Sequence, residues 1–162
     1  MKLTATLVIV WLGAFALAGL AYMGCSFPTC KVWVRNEHPA TLAHELGHNL
    51  NSKHSAADWD NDGKTDNEYG DNSCLMGNAK NWRGMNAPHR VALSWIDPSN
   101  VLEFEGKCSE SGIYTLSSLH VAPRPGAGAI TNVILFPRAG GGDYYVSIRG
   151  SEGYDTHLGP LW

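Results

Sequence analysis

Residues 39–54 read Pro39-Ala-Thr-Leu-Ala-His44-Glu45-Leu-Gly-His48-Asn49-Leu50-Asn51-Ser-Lys-His54. Leu42, Leu46 and Leu50 recur at i, i+4 and i+8, the period of a helix with an apolar stripe turned to a core. Pro39 suits the first turn, where its missing N–H has no intrahelical partner to lose. On such a helix His44 and His48 lie one turn apart and project side by side. Two imidazoles so placed can share one zinc ion, and Glu45 is positioned to take a proton from zinc-bound water. With seven His in 162 residues, His-Glu-x-x-His arises by chance in about one chain in eighty of this composition, and with His54 added in roughly one in two thousand. His54 follows His48 by six residues, the spacing at which a third ligand arrives once the helix has ended and the chain has turned back. The expected zinc ligands are therefore His44, His48 and His54, with Glu45 as general base and acid.

Around this stretch the chain is ordinary in bulk and unusual at its start. An apolar share of 44%, with six Trp and six Tyr, is enough for a core and excludes a disordered or fibrous chain. The length suits one domain, or one domain with a small appendage. A formal net charge of −3 lacks the electrostatic footprint of a nucleic-acid binder. From Leu3 to Ala21 no residue is charged. A basic start, an apolar run and then small residues is the layout of a secretory signal, with Ala16-Leu17-Ala18 or Gly19-Leu20-Ala21 as cleavage site. The alternatives are an uncleaved membrane anchor and an apolar strand of the folded domain. Four cysteines fit export. Cys25–Cys30 with Cys74–Cys108 is the expected pairing, although four cysteines allow three connectivities.

His44-Glu45-x-x-His48-x-x-Asn51-x-x-His54 resembles the metzincin zinc signature, whose usual residue at the Asn51 position is glycine. That glycine ends the helix in a left-handed turn, and asparagine is the next most tolerant residue there. Ser73-Cys74-Leu75-Met76-Gly77 resembles the methionine turn of the same clan, with Met76 as a soft apolar floor to the metal site. The wider chain is similar to the gametolysin-type peptidases. That likeness is carried by His44–Leu50, Glu68-Tyr-Gly-Asp-Asn-Ser-Cys-Leu-Met-Gly77, Asn86-Ala-Pro-His-Arg90, Leu93-Ser-Trp95 and Tyr144-Tyr-Val-Ser-Ile-Arg149. The resemblance implies a secreted zinc endopeptidase acting on extracellular-matrix or cell-wall glycoproteins. It also implies a sheet, a long helix and a substrate-aligning edge strand ahead of the zinc helix, on the order of 100 residues. Only 43 residues precede His44, so a core truncated at its N-terminus, with the edge strand largely absent, is the expectation. Ala18-Gly-Leu-Ala-Tyr-Met-Gly-Cys25 itself resembles the family's approach to the zinc helix.

Between Asp58 and Asp71 six acids face one base, Lys64. Asp58, Asp60 and Asp62, with Gly63 next and Asp66 at the ninth position, match the opening of a calcium loop. The twelfth position holds Tyr69, and Glu68 falls one residue early, so a solvated acidic loop is the alternative to Ca2+ binding. Asn86 can cap a short helix carrying His89, read as structural or as a further site residue. His38, His120 and His157 carry no motif. Beyond Asp97-Pro98-Ser99 come short β-rich runs, Val101–Phe104, Ile113–Leu116, Ile130–Phe136 and Tyr144–Ile148. They are separated by Pro123–Gly128 and Gly140–Gly142.

The expected fold is α+β. Residues 1–21 form a signal, anchor or apolar strand, 22–97 a metzincin-like zinc-peptidase core, and 98–162 a small antiparallel β module. The expected partner is a protein or peptide substrate, with a membrane only if the N-terminal segment is retained. A catalytically inactive zinc-binding remnant serving as a binding or structural module is the alternative function.

Overall fold

The computed structural model describes residues 6–11 (as backbone), 18–25, 29–35, 38–78, 83–106, 111–120, 130–151 and 153–156. The chain is mixed α+β and divides into two compact units, residues 1–85 and 86–162.

The first unit holds a three-stranded sheet and one helix. Its strands are β1 (Thr6–Trp11), β2 (Gly19–Ala21) and β3 (Thr29–Val34), ordered β1-β3-β2. β1 runs parallel to β3, with Thr6 opposite Thr29 and Trp11 opposite Val34. The middle of the apolar start is thus a strand, one of the three forms its sequence allows. No helix among the described residues is long and apolar enough to cross a membrane. β2 runs antiparallel to β3, with Gly19 opposite Val34, and forms a sheet edge. Along β3, Val32 and Val34 are buried and Lys31 is exposed, the period-2 signature of a strand with one face on a core. The expected Cys25–Cys30 disulfide closes the β2–β3 connection, with its Cα atoms 4.8 Å apart. Cys74 is buried, and its expected partner Cys108 lies outside the described residues.

Helix α1 (Pro39–Asn49) packs on β2 and β3. Pro39 opens it as expected, and His38 caps it by accepting a hydrogen bond at Nδ1 from the Ala40 N–H, 3.3 Å away. Its far end is tied to the sheet: the Asn49 side-chain amide donates to the Tyr22 and Lys31 carbonyls at 2.9 and 3.2 Å. The buried face is not the leucine stripe. Leu42 and Leu46 are half-buried and Leu50 is exposed, whereas Thr41, His44, Glu45 and His48 are buried. Leu50 lies at the cap, beyond the last helical turn, and the helix turns its polar site face inward instead.

The second unit has helix α2 (Ala87–Ala92) and strands β4 (Val101–Glu103), β5 (Val133–Pro137) and β6 (Asp143–Ser147). Asn86 caps α2 as expected, its Oδ1 accepting from the His89 N–H at 3.2 Å and lying 2.7 Å from His89 Nδ1. Ala87, Ile96, Leu119, Val133 and Leu135 form its apolar core. β5 and β6 make an antiparallel hairpin, closed at Gly140–Gly142, all three with positive φ. The module is mixed, however, because β4 pairs parallel with β5. Only the tight β5–β6 turn fixes an antiparallel partner; the long connection from β4 to β5 leaves room for a parallel crossover. Ile113–Leu116 is irregular, with Ile113 fully exposed, and the Pro123–Gly128 turn lies outside the described residues. Asp155 is fully buried in a 3-10 turn (Gly153–Asp155), paired with Arg149 and His120.

Candidate metal centre

The end of α1 decides where the third histidine goes. The Asn51 N–H donates to the His48 carbonyl at 2.8 Å and the Ser52 N–H to the Gly47 carbonyl at 3.0 Å. These two bonds form the Schellman closure, which requires a left-handed residue between helix and exit. Asn51 supplies it with φ 68°, the left-handed turn that asparagine tolerates. The chain reverses and returns His54 to the helix.

His44, His48 and His54 then converge. Each offers a ring nitrogen, and the three nitrogens lie within 4.8 Å of one another. The ring centroids are 4.7 to 5.3 Å apart. On the outer side every Nδ1 is engaged. That of His44 meets the Leu75 carbonyl at 2.7 Å, that of His48 the Ser52 carbonyl at 2.8 Å, and that of His54 the Glu68 carboxylate at 2.6 Å. Carbonyls and carboxylates only accept, so each Nδ1 carries the proton and each Nε2 keeps its lone pair. His48 Nε2 and His54 Nε2 stand 3.0 Å apart. Two nitrogens on one tetrahedral zinc, with bonds of about 2.0–2.1 Å, are separated by roughly 3.3 Å. Donor type, tautomer and spacing all suit a metal of zinc's preferences.

Burial tunes the groups. His44 is pushed down from the usual 6.5 to about 4, first by desolvation, with His48 and His54 adding to it and the Leu75 carbonyl opposing. It therefore stays neutral, the form that ligates metal. Glu45 is buried and raised from 4.5 to about 7 by desolvation, which suits a group that takes and returns protons near neutrality. The Tyr69 ring lies against that of His54, with centroids 4.1 Å apart and planes tilted by 41°. Burial and the charges of Glu68 and Glu45 push its phenol upward, so it stays protonated.

Met76 packs on the inner side of α1 at Gly47. It is fully buried and lies there with Met85, so close that a Cβ at position 47 would stand 3.2 Å from Met76 Cε and 3.0 Å from Met85 Cε. The turn is stitched to the returning chain by the Ser55 N–H donating to the Met76 carbonyl at 2.8 Å, and Leu75 supplies the carbonyl for His44.

Two cavities flank Glu45. One of about 440 Å³ is bordered by Leu20, Ala21, Met23, His48 and Lys53; another of about 290 Å³ by Ala18, Thr41, His44 and Gly77. Both are lined by Gly19, Glu45 and Tyr69. β2 borders both cavities, with Gly19, Leu20 and Ala21 lining the larger and Gly19 the smaller.

Asp58, Asp60 and Asp62 do gather, with one oxygen from each within 4.8 Å of the others. Their carboxylates accept from the N–H groups of Asp62 and Gly63, and Asp62 pairs with Lys64. Asp66 accepts from the Trp59 N–H instead. Glu68 and Tyr69, at the end of the loop, are turned to His54. His89 stays with its cap, outside the three-histidine group, and His157 lies outside the described residues. Gly19, Glu68 and Tyr69 carry no signal in the zinc motif. Glu68 and Tyr69 do open the stretch that leads to the Met turn, and their acidic and aromatic character beside it was the available clue. No family model matches the chain, and neither a curated protein nor a solved structure matches it.

Proposed function

We propose that the chain is a zinc-dependent endopeptidase, or the catalytic core of one, acting on extracellular or cell-wall (glyco)proteins. The observation that carries this is the pairing of three imidazoles, each with Nδ1 anchored and Nε2 left for a metal, with a buried Glu45 that lines two cavities. His44, His48 and His54 would hold zinc, which supplies Lewis acidity to a water and to the scissile carbonyl. Glu45 would take a proton from the attacking water as the water oxygen bonds to the carbonyl carbon. When the C–N bond breaks, Glu45 returns the proton to the leaving amine. Among the described residues β2 is an edge strand, which would offer main-chain hydrogen bonds to an extended substrate. The disulfide fits an oxidising, extracellular setting, in keeping with the likeness to secreted gametolysin-type enzymes.

The test is zinc stoichiometry together with peptide hydrolysis for the full chain, with and without chelator, beside Glu45→Gln. Zinc binds one to one, chelation abolishes hydrolysis, and Glu45→Gln keeps the metal while losing about 10²–10⁴-fold in rate. A zinc-loaded chain that hydrolyses no protein substrate supports the alternative of an inactive zinc-binding module. A folded chain that takes up no zinc refutes both.

A further inference from the structure

His44 and His48 are oriented by main-chain carbonyls, those of Leu75 and Ser52, which no side-chain substitution removes. His54 differs. It sits on an irregular segment after the helix, and the group on its Nδ1 is a side chain, the Glu68 carboxylate at 2.6 Å. Glu68 is itself placed by backbone pairing. Ala57 and Asn67 form an antiparallel bridge, with the Ala57 N–H donating to the Asn67 carbonyl at 2.8 Å and the Asp66 N–H to the Ala57 carbonyl at 2.9 Å. That bridge closes the acidic loop and delivers residues 68 and 69 together to one imidazole, Glu68 at its Nδ1 and Tyr69 against its face.

We infer that Glu68 is the positioning residue of the third metal ligand, holding the His54 ring with Nδ1 protonated and Nε2 turned to the site. The inference rests on the zinc-site proposal. Glu68 is 66% exposed, and a polar contact so exposed contributes little to folding. Its role is selective: a carboxylate on the far nitrogen fixes the tautomer, orients the ring and makes the ligating nitrogen more basic.

The experiment measures zinc affinity by chelator competition for the full chain and for Glu68→Ala and Glu68→Gln, with thermal unfolding of the metal-free proteins and cobalt(II) absorption spectra beside it. Glu68→Ala weakens zinc about 10–100-fold and alters the cobalt ligand-field bands, while metal-free unfolding is unchanged. Glu68→Gln keeps an acceptor oxygen and recovers most of the affinity. Unchanged affinity in Glu68→Ala overturns the inference. So does an equal loss in Glu68→Gln, which would make the effect one of charge alone, or a metal-free unfolding shift large enough to account for the loss. A full chain that takes up no zinc overturns the site itself, a result distinct from all three.

Discussion

Gly19 of β2 faces the buried carboxylate of α1, and replacing it tests how closely the two elements define the proposed general base. A Cβ at this position would lie 2.7 Å from Glu45 Cγ and 2.8 Å from its Cδ. Non-bonded carbons rest at about 3.5–4.0 Å, so in Gly19→Ala one partner must recede by about 1 Å. The strand is held: Gly19 is in register with Val34, and the Ala18 carbonyl accepts from the Arg35 N–H at 2.9 Å. The Glu45 side chain, which borders two cavities, is the partner that gives way. Gly19 is not among the glycines with positive φ, so alanine fits the backbone itself. The stability cost is that of one side chain pushed off its preferred rotamer, about 0.5–1.5 kcal/mol. A proton-transferring oxygen displaced by about 1 Å costs catalysis on the order of 10²-fold. Gly19→Ala should therefore keep its zinc, unfold within a few degrees of the unsubstituted chain and lose about two decades of kcat/KM on a quenched-fluorescence peptide. In a Glu45→Ala background the stability cost of Gly19→Ala should vanish, since the crowded atoms are gone. A fully active Gly19→Ala protein refutes the reasoning, as does a stability cost that persists in the double variant.

Asn51 holds φ 68° at the helix exit, so Asn51→Ala should destabilise by about 1–2 kcal/mol through the left-handed Cβ clash, whereas Asn51→Gly should match or exceed the parent. Thermal unfolding decides it, and zinc affinity should follow the same order because His54 lies beyond this turn. In the second unit Asp155 is fully buried and accepts from Arg149 Nε at 2.9 Å. Asp155→Ala leaves a buried guanidinium without its carboxylate and should cost about 3–5 kcal/mol. The C-terminal unit should then unfold at lower denaturant, and a shift below 1 kcal/mol would show that water replaces the carboxylate.

The parts of the fold that follow from local periodicity were legible. The α1 start at Pro39, the Asn86 cap of α2, the Gly140–Gly142 turn and the Cys25–Cys30 bridge depend on neighbours a few residues apart. What stayed open, or came out differently, depended on partners far along the chain. A run such as Leu-Val-Ile-Val-Trp has the same composition in a signal, an anchor or a sheet strand, and only its pairing with β3 marks it as β1. β4 joined β5 in parallel because the intervening segment is long, a choice that no residue within β4 encodes. The leucine spacing on α1 correctly indicated a helix but not its buried face, since the sheet and the Met turn enclose the polar side.

The site divides along the same line. His44, Glu45 and His48 share one helix, so 3.6 residues per turn was enough to group them. His54 required only that Asn51 take the left-handed turn, which its side chain tolerates. Gly19, Leu75, Ser52 and Glu68 are set by tertiary approach. Two of them act through main-chain carbonyls, which any residue type would provide, so residue identity cannot betray them. Gly19 matters for the atoms it lacks, and an isolated glycine in a strand does not announce which side chain it makes room for. Glu68 alone is a side-chain partner with a distinctive charge, yet its neighbours spell out the opening of a calcium loop and draw attention away from His54. A helical zinc motif therefore discloses which residues can bind metal. The groups that fix their tautomers and clear space for the base become visible only once the chain has folded around them.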